Sequence, residues 1–250
     1  MSNKTSFGDR IEFASNPEPR CPCVLLLDTS HSMAGERIEA LSAGVETLAA
    51  DIVKDAVASR RVELAVVTFG GEVRVARDFV GVSEFKPPVL EADGNTPMAA
   101  AIDRALHLIE DRKKRYKQIG VSYYRPWVFM ITDGQPEGES EEAIARTAQR
   151  LHAAEDAQSV AFFAVAVEGA NVKRLSQIVK RTPLELEGLN FGELFLWVSA
   201  SMQSISSSQP GEHVKLPPIG WLKRIGIIIK ENEGEIKAAV RIVRATIIGH

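Results

Sequence analysis

The sequence predicts an α/β fold: doubly wound, with a mainly parallel central sheet, one antiparallel edge hairpin and helices on both faces. Three observations lead there. Val24–Leu27, Trp127–Ile131 and Val160–Val167 are short, unbroken apolar runs, as expected for strands covered on both faces. Between them lie segments whose apolar residues recur every three or four positions, the spacing of one helix face. Only one pair of strands is joined tightly enough for a hairpin, by Gly70-Gly71 between Val62–Phe69 and Val73–Phe79. The other strands are separated by the helix-length crossovers that parallel strands need.

Taken in order, residues 1–20 form a polar lead-in with Pro17 and Pro19. After the first strand, Ile38, Leu41, Val45, Leu48 and Ile52 mark the first helix face. Pro87-Pro88 follow the hairpin and lead to a loop carrying Thr96, and Pro97 suits the first turn of a helix. That helix continues through Met98, Ile102, Ala105 and Ile109 into the charged end Asp111–Lys117. In Glu141–Ala154, Ile144, Ala148 and Leu151 share a stripe. The acidic run Glu137–Glu142 opens this helix, where negative charge suits the dipole. Two more helices are expected, around Val172–Val179 and through Phe191, Leu194, Phe195, Val198, Met202 and Ile205.

Composition changes at Ser206-Ser207-Ser208-Gln209-Pro210-Gly211, so the expected domain is 21–211, followed by a basic extension, 212–250. Residues 214–250 carry seven Lys/Arg against three acids. Ile225–Ile229 and Ile236–Ile248 are apolar enough for a hairpin or a short basic helix.

At 250 residues and 45% hydrophobic the chain can bury one good core. Its net charge of −3, with no basic patch interleaved with aromatics, gives no case for nucleic acid. No run approaches the ~20 apolar residues of a transmembrane segment, and Met1–Thr5 holds no apolar signal core, so a cytoplasmic protein is expected. Cys21 and Cys23 flank Pro22 and read as strand residues: a disulfide across one residue is strained, and a zinc site lacks its second pair of ligands.

The chemistry sits at the strand ends. Asp28-Thr29-Ser30-His31-Ser32 leaves the first strand with one carboxylate and two serine hydroxyls, an all-oxygen set of the kind that hard divalent cations prefer. Gly94-Asn95-Thr96-Pro97 opens a later helix, and Ile131-Thr132-Asp133-Gly134 ends a later strand. In an open parallel sheet, ligands bind beyond the carboxyl ends of the strands, which Asp28 and Asp133 both reach. Two carboxylates brought together repel unless a cation lies between them or one takes a proton. Because hydroxyls are neutral ligands, the cation stays electrophilic, and a carboxylate from outside would complete its shell.

Asp28-Ser30-Ser32, Thr96 and Asp133 resemble the metal-ion-dependent adhesion site of von Willebrand factor A domains, and the resemblance covers roughly residues 20–205. Leu25–Ser30, Gly94–Met98 and Ile131–Gly134, with the later Leu216–Trp221, look most like the bacterial tellurium-resistance TerY group. The resemblance implies Mg2+, with Mn2+ or Ca2+ as alternatives. Asp28, Ser30 and Ser32 would be ligands, Thr96 would join when a ligand docks, and Asp133 would act through water. It also implies a metal-dependent protein–protein interaction module whose partner presents an Asp or Glu, in a stress-response setting with kinase- or phosphatase-like proteins. His31 departs from the glycine often found there; it reads as a rim residue, with a role as ligand to a softer ion as the alternative.

The enzymatic rival is magnesium-dependent phosphoryl transfer with Asp28 as nucleophile, similar to haloacid-dehalogenase-type phosphatases. Those enzymes place a second Asp two residues later as general acid. Here Ser30 stands in that position and has no such proton to give.

Overall fold

The computed structural model describes residues 16–186 and 188–208, the short pieces 213–214 and 216, and the backbone of 243–244. Six strands form the main sheet: β1 (Cys21–Asp28), β2 (Val62–Gly70), β3 (Glu72–Gly81), β4 (Trp127–Thr132), β5 (Ala161–Ala166) and β6 (Leu184–Glu185). Their order is β3-β2-β1-β4-β5-β6. All neighbours are parallel except β2 and β3, which form the expected hairpin. The two-residue β6 is too short to leave a periodic signal in the sequence.

The helices are α1 (Glu36–Ile52), α2 (Ala58–Arg61), α3 (Met98–Ile119), α4 (Glu141–Asp156), α5 (Val172–Ile178) and α6 (Phe191–Ser206). Alternation along β1 divides them. Cys21, Cys23, Leu25 and Leu27 face the core beneath α1 and α6. Val24 and Leu26 face the core beneath α3, α4 and α5. Each fully buried aliphatic or aromatic side chain contributes about 1.5–3 kcal/mol, so the unbroken apolar runs mark the central strands β1, β4 and β5, buried along their whole length, whereas the edge strand β3 is largely exposed. At Gly44, α1 approaches α6 so closely that a Cβ would lie 2.6 Å from Phe195 Cδ2.

At the amino ends of the strands, the Glu63 carboxylate meets Arg20 Nε at 3.1 Å and Arg112 at 2.8 Å and accepts from the Tyr116 hydroxyl. This buried cluster closes the end of the sheet opposite Asp28. Both cysteines are free and buried, as expected for strand residues. Val214 and Leu216 pack on the α1/α6 core, and His213–Val214 pairs antiparallel with Val243–Arg244. The expected hairpin or helix in 225–248 otherwise lies outside the described residues. Among those described, no helix is long and apolar enough to cross a membrane.

Candidate metal centre

β1 is flanked by β2 on one side and β4 on the other, so the strand order reverses there and leaves a crevice at the carboxyl ends. Asp28 ends β1 on one side of that crevice, and Asp133 follows β4 on the other. Asp28 is fully buried. Its Oδ1 accepts the Ser30 N–H at 2.9 Å, and its Oδ2 accepts the Thr132 hydroxyl at 2.6 Å. A carboxylate offers about four lone-pair sites, so acceptor capacity is left over. The Ser30 and Ser32 hydroxyls lie 3.0 Å apart; Ser30 is buried and Ser32 is exposed, opening the pair to the rim.

The Thr96 loop is tied to its neighbours through backbone. His31 N–H donates to the Gly94 carbonyl at 2.9 Å, Asp93 N–H to Thr29 at 2.8 Å, and Gly71 N–H to Asn95 at 2.8 Å. Glycine makes this closure feasible. A Cβ at Gly70 would overlap the Thr29 carbonyl, and one at Gly94, whose φ is +71°, would overlap Gly71. Thr96 itself is buried at the mouth of α3. The five expected residues therefore stand at the end of β1 or on the connections beyond the strands, which meet at one end of the sheet.

Asp133 is only partly buried, yet its Oδ1 is shut off from solvent and has no hydrogen-bond partner. An orphaned anionic oxygen is costly, and a cation in the crevice would satisfy it. Asp28 carries the same tension. Burial, above all, pushes its carboxyl up to about 6, and the Asp133 charge adds to this, against hydrogen bonds from Ser30 and Thr132 that pull it down. Desolvation and a like charge both favour a bound cation or proton. The residues fit a hard divalent ion held by carboxylate and hydroxyl oxygens.

His31 is exposed on the rim. No group of three or more His, Cys, Asp or Glu among the described residues could hold a metal ion. His31 therefore does not complete a nitrogen-containing set with the two aspartates.

Sequence reasoning missed two contributors. Thr132 lies one residue beyond the last paired position, Leu27 with Ile131, and so stands opposite Asp28. That pairing register was the missing signal. Glu139 was read as helping to open α4, and this needs correction. The α4 cap is Ser140, which accepts from Ala143 N–H. Glu139 instead accepts Ala99 N–H at 2.7 Å and Ala100 N–H at 2.8 Å, capping α3. Its partner helix starts 41 positions upstream, out of reach of any local motif.

Fold and site together define an open α/β domain with an oxygen-lined crevice at its switch point. The chain belongs to the von Willebrand factor type A domain family, which matches residues 23–191. A von Willebrand factor type A protein from Catenulispora acidiphila superposes with a TM-score of 0.53 at 19% identity, over 74% of this chain and 43% of that one. Proximal thread matrix protein 1 from the mussel byssus, in a structure with a zinc-occupied MIDAS motif, gives 0.51 at 16%, over 74% and 48%. The type V pilus tip protein Mfa5 domain from Porphyromonas gingivalis gives 0.56 at 9%, over 78% and 98%. The chain thus spans less than half the length of the first two. At these identities the likeness speaks for the fold alone. No curated protein matches the chain.

Proposed function

We propose that this protein is a metal-dependent protein–protein interaction module. In this reading, Asp28, Ser30, Ser32, Thr96 and Asp133 hold one divalent cation. Mg2+ is the first choice, because small hard ions suit sparse carboxylate and hydroxyl sets; Mn2+ and Ca2+ are the alternatives. When bound, the ion supplies a Lewis-acidic position for an Asp or Glu side chain of a partner protein. The observation that carries the proposal is the orphaned, solvent-shielded Asp133 Oδ1 at the same crevice as the fully buried Asp28. The adhesion site occupied by zinc in the byssus protein supports metal occupancy in the family and makes zinc an ion worth including in any test.

A setting like that of the TerY group, in stress response or tellurium resistance with kinase- or phosphatase-like partners, belongs to the same proposal. The wording of the Leu25–Ser30, Gly94–Met98 and Ile131–Gly134 segments supports it. A cytoplasmic site of action is part of the same proposal. Phosphoryl transfer by Asp28 is disfavoured, because Ser30 stands where that chemistry needs an acid.

The test is thermal unfolding with chelator and with saturating Mg2+, on wild type and Asp28→Ala. A ligand at a hundred times its dissociation constant adds ~2.7 kcal/mol, which raises the midpoint by roughly 5–10 °C. The increment should appear in wild type and vanish in the variant. A wild type indifferent to Mg2+, Mn2+, Ca2+ and Zn2+ would sink the proposal.

A further inference from the structure

We propose that Glu139 is a positioning residue for the metal centre, holding Thr96 in place relative to Asp133. The inference rests on the metal-site reading above. Three consecutive residues of the β4–α4 loop grip the start of α3. Glu137 N–H donates to the Thr96 carbonyl at 3.0 Å. Gly138, with φ +81°, lies so close to the Asn95 side chain that a Cβ would overlap its amide. Glu139 closes the grip with both carboxylate oxygens, one on Ala99 N–H and one on Ala100 N–H.

The helix offers nothing of its own at this end. Pro97, at the N-cap, makes no side-chain capping bond, and the first turn of α3 holds no acidic residue. The free amides of the first turn need acceptors, and a carboxylate there also interacts favourably with the helix dipole. Among the described residues, the carboxylate bonded to them comes from the loop that carries Asp133. Upstream in that loop, Asp133 is fixed by Gly134 N–H donating to Thr132 Oγ1 at 3.0 Å and by Asn171 N–H donating to the Asp133 carbonyl at 3.0 Å. One short loop thus sets an acidic residue of the site at one end and the helix mouth bearing Thr96 at the other. If Glu139 lets go, the two halves of the site lose their common frame while β1, β4 and the core stay as they are.

The discriminating experiment is a double-mutant cycle on Mn2+ affinity. The full chain is titrated by calorimetry in acetate buffer, so that a carboxylate is present to complete the shell. Glu139→Gln keeps the shape but turns one acceptor oxygen into a donor facing an amide. Changes in groups that orient metal ligands typically cost about 10–100-fold in affinity, and a loss of at least about tenfold is expected here. In a Thr96→Val background the same Glu139 change should cost little, because its effect runs through Thr96. Glu139→Asp, shorter by one methylene, should lose the bidentate grip and behave like Glu139→Gln.

A drop in the metal-free unfolding midpoint with unchanged Mn2+ affinity would reduce Glu139 to a helix cap and overturn the inference. A loss of equal size in the Thr96→Val background would also overturn it. If wild type itself takes up no Mn2+, the metal-site reading fails first and the inference falls with it.

Discussion

Thr132 Oγ1 donates to Asp28 Oδ2 at 2.6 Å while accepting Gly134 N–H at 3.0 Å. Two residues 104 positions apart in the chain are joined through one hydroxyl, which also fixes the turn after β4. Thr132 thereby orients the carboxylate at the end of β1 and the loop that begins with Asp133. Thr132→Val preserves shape and β-propensity but removes the bond, so metal affinity should fall about tenfold or more. Thr132→Ser should restore most of it. Calorimetric titration of the three proteins with Mn2+ checks this, and equal affinities for all three would contradict the role given to Thr132.

The pH dependence of stability should change sign with metal. The Asp28 carboxyl is held at about 6, chiefly by burial, against an ordinary value of 3.8. A raised folded-state value stabilises below the unfolded value, and that contribution is lost as pH rises through the folded one. The metal-free protein should therefore lose about 2 kcal/mol between pH 4 and pH 7 relative to Asp28→Asn. With saturating Mg2+ the order reverses, because binding needs the carboxylate: the metal-induced increment should be small below pH 5 and complete above pH 7. Urea unfolding of both proteins across this range, with and without metal, measures it.

The rim should tolerate no side chain at Gly70 or Gly94. An alanine at Gly70 would drive its methyl into the Thr29 carbonyl, and at Gly94 into the Gly71 backbone, with the further strain of a φ of +71°. Overpacking of this kind costs about 1–3 kcal/mol. Because the three loops must part to make room, metal affinity should fall along with stability. Gly35→Ala is the control: its φ is +77° but open space surrounds the position, so strain appears there without loop separation. A Gly94→Ala protein that binds metal like wild type would show that loop closure does not set the site.

The opposite end of the sheet should separate stability from function. Glu63 pairs with the buried Arg20 and Arg112. Glu63→Ala leaves two guanidinium groups without their carboxylate, a change that costs about 3–5 kcal/mol for buried pairs. The metal-induced increment should be unchanged, since the cluster lies at the amino ends of the strands and the site at their carboxyl ends. Chemical denaturation with and without Mg2+ reads both quantities.

Much of the molecule was legible in the chain because its signals are local. Val24–Leu27 and Trp127–Ile131 announce buried strands because each must present an apolar residue to both layers of helices. Ile38 to Ile52 announces a helix by spacing alone. Asp28-Thr29-Ser30-His31-Ser32 announces its chemistry because a carboxylate and two serine hydroxyls within five residues leave a strand together. That Asp28, Ser30, Ser32, Thr96 and Asp133 fall at one end of the sheet followed from their places at strand and helix ends.

What only the tertiary structure decided was how those pieces are held against one another. Thr132 finds Asp28 through the parallel register of β1 and β4, Glu139 reaches back to the amides of Ala99 and Ala100, and Gly70 and Gly94 let three loops touch. Gly44 likewise matters only where Phe195 arrives from α6. Local periodicity records which face of an element is buried, since that choice is made residue by residue. It carries no record of which distant backbone will arrive there, and it is these long-range hydrogen bonds and close approaches that position the residues of the candidate metal centre.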